Sequence, residues 1–332
     1  MIVEKNISYC NTTEYDQALN TLDIYFLAQH PGQLKKPIVV FVHGGGWSDG
    51  DKSLDDEISF PTWFVDHGYV FVSVNYRLAR HPRSPQATIY DMAKDIGKAI
   101  KWLTVNGRRY GGKNEGFVLL GYSSGAHLAT LLNTDANLLS QSRLSPAIIG
   151  GIIALDVPQL DIPSAMAIME TEETGLPQQM QRLANLHKLF GSTRASQEKF
   201  SPAAYLRPML CNTSFLLITT GLYNGHRQSL SRRMAESFIC QLRTLNIKAE
   251  HHHFENVDHA EIIHRFTELI SVYVLPFLEY IGRRPEKNVS APTGVIVTPT
   301  NQIAAEGDVS PRDRITQRDR SKHRVRTPRR AV

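Results

Sequence analysis

The segment Phe117-Val118-Leu119-Leu120-Gly121-Tyr122-Ser123-Ser124-Gly125-Ala126-His127-Leu128-Ala129 joins an apolar run to an apolar-periodic one through a pentapeptide centred on serine. It predicts a strand, a sharp turn and a helix. Reversing a strand into a helix within a few residues brings neighbouring backbone too close for Cβ atoms, and glycines two positions either side of Ser123 relieve that crowding. The turn presents the Ser123 hydroxyl at a helix N-terminus, where the dipole and free N–H groups favour developing negative charge. Serine after glycine also commonly caps a helix. The pentapeptide alone therefore leaves nucleophile and cap as alternatives.

Upstream, Pro37-Ile38-Val39-Val40-Phe41-Val42 is apolar throughout and rich in β-branched residues, as expected of a strand covered on both faces in a parallel sheet. It runs straight into His43-Gly44-Gly45-Gly46-Trp47. Three consecutive glycines are costly to order, and one purpose is to let backbone N–H groups approach a ligand oxyanion; a flexible loop is the other reading. Leu22 to Leu27 and Tyr69 to Val74 read as further strands, and Ile89, Ala93, Ile96, Ile100 and Leu103 mark one face of a helix.

Downstream, Ile148 to Leu155 reads as a strand ending at Asp156-Val157-Pro158. From about 161 to 212 helical stretches dominate, as in a cap inserted between sheet strands. The sheet resumes at Phe215 to Thr220, a helix follows over about Gln228 to Leu245, and Ala249 to Phe254 is the last strand. Glu255-Asn256-Val257-Asp258-His259 then leads into a helix over Ala260 to Tyr280. Alternating strands and helices predict an α/β fold with a mostly parallel, doubly wound sheet and right-handed crossovers.

The 332 residues, 42% of them hydrophobic, suffice for a sizeable core. The net charge of +5 is unevenly spread. Residues 283–332 hold 12 Lys+Arg against 5 Asp+Glu, and removing these from the totals of 37 and 32 leaves 25 against 27 for residues 1–282. The expected organisation is one domain over 1–282 and a basic, disordered tail over 283–332, for which nucleic acid or an acidic partner is the functional reading. No stretch reaches the roughly 18 to 20 apolar residues of a membrane span, and Met1 to Asn6 has no basic region followed by an apolar one. Cys10, Cys211 and Cys240 lie far apart without metal-ligand spacing. A cytoplasmic protein with no membrane contact and no metal or other cofactor is expected. His251-His252-His253 does not alter this, because alternate strand side chains point to opposite faces.

Serine needs a base within hydrogen-bond reach and donors for the oxyanion formed when it attacks a carbonyl. Ser123 supplies the hydroxyl, and His259, on the loop after the last strand, is the best-placed base. The Ser124 N–H and donors from Gly44, Gly45 and Gly46 form the expected oxyanion hole. His43, at the end of its strand, reads as a brace for the glycine loop.

Taken in order, His43-Gly44-Gly45-Gly46-Trp47, Asn75-Tyr76-Arg77-Leu78, Gly121 to Leu128 and Asp258-His259 resemble the α/β-hydrolase superfamily. Within it, the chain is similar to carboxylesterases related to bacterial feruloyl esterases and to kynurenine formamidases (arylformamidases). The formamidase likeness is sharpest at His226-Arg227-Gln228-Ser229 and Val257-Asp258-His259. The resemblance implies Ser123 as nucleophile, His259 as base and the loop amides as oxyanion donors. It also implies an aspartate in a Gly-x-x-Asp context after the strand at 215–220, where this chain has Gly221-Leu222-Tyr223-Asn224. Three outcomes stand: Asn224 orients His259, Asp156 supplies the carboxylate from the neighbouring strand with Asp161 as substitute, or the acid is lost. The expected activity is hydrolysis of a small carboxylic ester or N-formyl aromatic amide through an acyl-enzyme on Ser123. The alternative is a catalytically silent binding protein of the same fold.

Overall fold

The structure, a computed structural model, describes residues 1–12, 16–28, 35–54, 58–82, 84, 86–172 and 177–284. The tail expected from 283 lies, from 285 on, outside the described residues. Among the described residues nine strands form one sheet: β1 (Ile2–Ser8), β2 (Thr21–Phe26), β3 (Ile38–Val42), β4 (Val70–Val74), β5 (Phe117–Tyr122), β6 (Ile149–Leu155), β7 (Ser214–Tyr223), β8 (His226–Arg227) and β9 (Ala249–Asp258). Their order is β1-β2-β4-β3-β5-β6-β7-β8, with β9 also on β7. From β4 through β3, β5, β6 and β7 to β9 every pairing is parallel, while β1, β2 and β8 add antiparallel pairs at the two ends.

The helices are α1 (Phe60–Asp66), α2 (Ile89–Asn106), α3 (Ser124–Thr134), α4 (Ala136–Gln141), α5 (Ile162–Glu172), α6 (Pro177–Phe190), α7 (Arg194–Glu198), α8 (Leu230–Thr244), α9 (Glu261–His264) and α10 (Ser271–Gly282). Alternate residues of β3 and β5 enter two separate cores: Val40, Val42 and Leu119 pack with Ile96, Leu128 and Phe238 of α2, α3 and α8. Val39, Phe41, Val118 and Leu120 face Phe64 and Phe277 of α1 and α10. A strand buried on both faces has no polar side to show, which explains its unbroken apolar sequence. α2 starts at a Thr88 capping box with Asp91 and buries the predicted stripe. The helix expected over 260–280 is instead α9, a π-helical segment at Phe266–Ile270, and α10. Between β6 and β7 lie α5, α6 and α7, the stretch read as a cap. Among the described residues no helix is long and apolar enough to cross a membrane.

Two histidines are buried where the loops leave the sheet. His43 Nδ1 donates to Gly44 O (2.7 Å) and its ring stacks on Tyr76, whose hydroxyl donates to His43 O (2.7 Å). His127 donates from Nε2 to Phe200 O (2.7 Å) and accepts at Nδ1 from Trp47 Nε1 (3.1 Å), an arrangement that requires a neutral ring. Burial lowers both to about 4.

An unfolded chain takes up protons on these rings below pH 6.5 that the folded chain refuses until about pH 4. Their neutral burial is therefore fully tolerated above the unfolded value and becomes a growing penalty as pH falls through this window. Unfolding free energy from urea titrations should decline across it, by up to roughly 1.4 kcal/mol per pH unit for each histidine. A His127→Gln variant should show a shallower decline; identical slopes in variant and parent would exclude His127 as a contributor.

Candidate active site

β5 ends at Tyr122 and α3 begins at Ser124, so Ser123 makes the reversal. Its φ of 53° and ψ of −122° are unusual for a residue with a side chain. Ser123 N–H donates to Leu155 O (2.9 Å), and Ser123 O accepts from Ala126 N–H (3.0 Å) and His127 N–H (3.2 Å). A Cβ on Gly121 would stand 2.4 Å from Ala126 Cα, and one on Gly125 would stand 2.1 Å from Val42 O. Both glycines are therefore demanded by backbone contact. The Ser123 side chain makes no capping bond.

Instead, Ser123 Oγ lies 3.1 Å from Nε2 of His259. His259 follows β9, and its N–H donates to Leu222 O (3.0 Å) while its carbonyl accepts from Tyr122 Oη (2.9 Å). The imidazole sits between the rings of Tyr122 and Tyr223, 5.0 and 5.1 Å away. Its other nitrogen, Nδ1, is 2.6 Å from Asp156 Oδ2. Asp156 is 1% exposed, and its two oxygens also accept from Thr220 N–H (3.0 Å) and Thr220 Oγ1 (2.7 Å). A buried carboxylate with this many donors is a satisfied one.

Of the three outcomes for the acid, the geometry brings Asp156 to the imidazole. Asn224 has φ of 50° and Gly225 φ of 75°, between the paired residues Tyr223 and His226. That is the backbone of a two-residue hairpin turn, for which Asn-Gly is the favoured dipeptide. Asn224 is thus exposed at a turn on the cavity rim, and Nδ1 of His259 has Asp156 as its partner. Asp161 bonds Ser164 at the start of α5.

The glycine loop is built by backbone. Gly45 (φ 114°) turns tightly enough that a Cβ would meet Asp49 O at 2.0 Å, and Gly46 has φ of 59°. Gly45 and Gly46 line the cavity with Ser123, whereas Gly44 packs behind, its carbonyl held by His43 Nδ1. Among the described residues nothing accepts from the N–H of Gly45, Gly46 or Ser124. The cavity, about 1040 Å³, is also lined by Ile168, Leu186 and Leu189 of α5 and α6. His251 and His253 both reach Thr219 Oγ1 (2.8 and 3.0 Å) while His252 stacks on Tyr273, as strand alternation requires.

Sequence reasoning missed the tyrosines flanking His259, Thr220 beneath Asp156, and the Trp47–His127 bond that ties the glycine loop to α3. The visible signal for Asp156 was its position at a strand's end. Chemically, the arrangement is a hydroxyl, an imidazole and a carboxylate in line, beside unused amide donors.

A sequence profile of the BD-FAE family matches residues 22–205, more than half of the chain. A probable isoprenylcysteine alpha-carbonyl methylesterase of Oryza sativa subsp. japonica is 35% identical over 127 residues, which are 37% of this chain and 28% of that protein. Esterase LipC of Mycobacterium tuberculosis is 29% identical over 122 residues, 37% of this chain and 28% of that one. The matched region thus spans little more than a quarter of these relatives. Esterase B from Lactobacillus rhamnosis superposes with a TM-score of 0.66 at 18% identity, covering 85% of this chain and 86% of that one. Together with the parallel sheet and its serine turn, these matches place the chain in the BD-FAE family, with an α/β-hydrolase fold.

Proposed function

We propose that the chain is a serine carboxylesterase in which Ser123 is the nucleophile, His259 the general base and Asp156 the acid that orients it. The observation that carries this reading is the continuous hydrogen-bond line Ser123–His259–Asp156, at 3.1 and 2.6 Å. The relatives named as esterases and methylesterases support ester hydrolysis as the reaction class.

In this mechanism Ser123 Oγ attacks the carbonyl carbon while His259 Nε2 takes its proton. The negative charge that moves to the carbonyl oxygen is received by the amide donors of Gly45, Gly46 and Ser124, which give their N–H to no other acceptor among the described residues. Asp156 holds the proton on Nδ1, leaving Nε2 free to accept, and offsets the imidazolium charge. His259 then protonates the departing alkoxide, and the acyl group stays on Ser123. Water, deprotonated by His259, attacks the acyl-enzyme and releases the carboxylic acid with Ser123 restored. An N-formyl aromatic amide would follow the same path with an amine as leaving group, and the likeness to formamidases at 226–229 and 257–259 supports including it. The reading as a silent binding protein was motivated by a missing acid, and the 2.6 Å contact between Asp156 and His259 supports the enzyme over it.

With p-nitrophenyl acetate and N-formylkynurenine as probes, Ser123→Ala should lower kcat by roughly 10³-fold or more. It should also abolish labelling by a fluorophosphonate. Wild-type protein that neither turns over these probes nor takes the label would refute the proposal. The acid is tested separately. Asp156→Asn should cost up to about 10⁴-fold in kcat, whereas Asn224→Ala should remain within about threefold of wild type. The reverse ranking would return the acid's role to the hairpin.

A further inference from the structure

α6 contributes one cation to the cavity wall, Arg182. Its guanidinium lies 4.4 Å from the centroid of the Tyr223 ring, and that ring packs at 5.1 Å against His259. A cation–π contact engages the guanidinium through its charge and consumes no N–H donor in a hydrogen bond. Among the described residues nothing accepts from them. Other arginines of the fold differ: Arg227, which also lines the cavity, is held by Glu255 (2.6 Å), Arg232 by Glu236 (2.8 Å) and Arg265 by Glu268 (2.7 Å). Among the described residues no aspartate or glutamate lines the cavity, and Asp156, behind His259, is engaged by the imidazole. The described part of the cavity wall therefore holds one positive charge with no carboxylate set against it, two rings away from Ser123.

From this we infer that the substrate is anionic: an ester or amide whose acyl or leaving group carries a carboxylate that Arg182 receives. The inference rests on the reading of Ser123 as nucleophile. A guanidinium offers paired parallel donors that match the two oxygens of a carboxylate, and the contact with Tyr223 restrains the side chain, so less rotamer freedom remains to be lost when the anion arrives. Arg182 does no chemistry; it discriminates between substrates by charge at a distance from the scissile bond.

Two probe series separate the two possible locations of the carboxylate. For the acyl side, the p-nitrophenyl hemiesters of succinate, adipate and suberate are compared with the corresponding monoamides. For the leaving-group side, para-acetoxybenzoate is compared with para-acetoxybenzamide. The readout is the ratio of kcat/KM for the anion to that for its neutral partner. Arg182→Gln should lower this ratio by about tenfold to a hundredfold in one series, the scale of a charged hydrogen-bond pair. Arg182→Lys should keep part of it, and Lys188→Gln, which removes the same charge from an exposed position on α6, should not change it. Fluorophosphonate labelling of Ser123 in each variant reports an intact site. A ratio equal to wild type in both series of Arg182→Gln overturns the inference and leaves the esterase reading standing. If no ester is turned over, calorimetric titration with adipate and para-hydroxybenzoate decides: binding lost in Arg182→Gln supports the anion site while the hydrolase reading fails, and no binding to wild type overturns both.

Discussion

Backbone pressed directly on backbone, where Gly125 meets the carbonyls of Val42 and His43, is the contact on which the rest of the site depends. A Cβ at Gly125 would lie 2.1 and 2.3 Å from those two oxygens. Because nothing intervenes, the first turn of α3 and the end of β3 have a fixed separation, and the loop leaving β3 inherits it. Ser123 and the Gly45-Gly46 amides are thereby set relative to one another by the main chain, with no side chain whose rotamer could loosen the relation. The unusual φ and ψ of Ser123 persist because neighbours over-determine them: Leu155 O holds its N–H, and Ala126 and His127 hold its carbonyl.

The sheet interior was the most legible part of the sequence. β3, β5, β6 and β7 are apolar on both faces, and a pattern that demands two covering layers leaves few alternatives. β1 was not legible, because an edge strand that exposes Ile2 to Asn6 has no buried face to leave a pattern. α1 is only seven residues long, too short for a helical period to register against the aromatic cluster it joins. The serine turn, glycine loop and His259 were readable because each is local. Asp156 was readable only as one of three outcomes, since it and His259 are 103 residues apart and meet only through the adjacency of β6, β7 and β9. The Asn-Gly dipeptide at 224–225 did carry a usable signal, namely that of a hairpin turn.

Asp156 illustrates how a buried charge is made tolerable. Its φ of 47° turns the chain out of β6 so that the carboxylate doubles back over Thr220, which bonds both of its oxygens. Aspartate is among the few residue types with a side chain that accept this conformation readily. The same residue thus ends a strand, shapes the crossing into the helices that follow and presents its oxygen to His259. Which cap side chains face the cavity depends on how α5 and α6 pack, and their composition alone gave no hint of that; Arg182 was visible only in three dimensions.

The resemblance implies an aspartate after the strand at 215–220, whereas here the carboxylate beside His259 belongs to the far end of β6 and the segment after β7 is a plain Asn-Gly turn. This separates two duties that a single loop would otherwise share. The 223–229 segment forms a wall of the cavity, yet insertion or sequence drift within it need not disturb the partner of His259. Under the proposed mechanism, selectivity can therefore change as a trait independent of turnover.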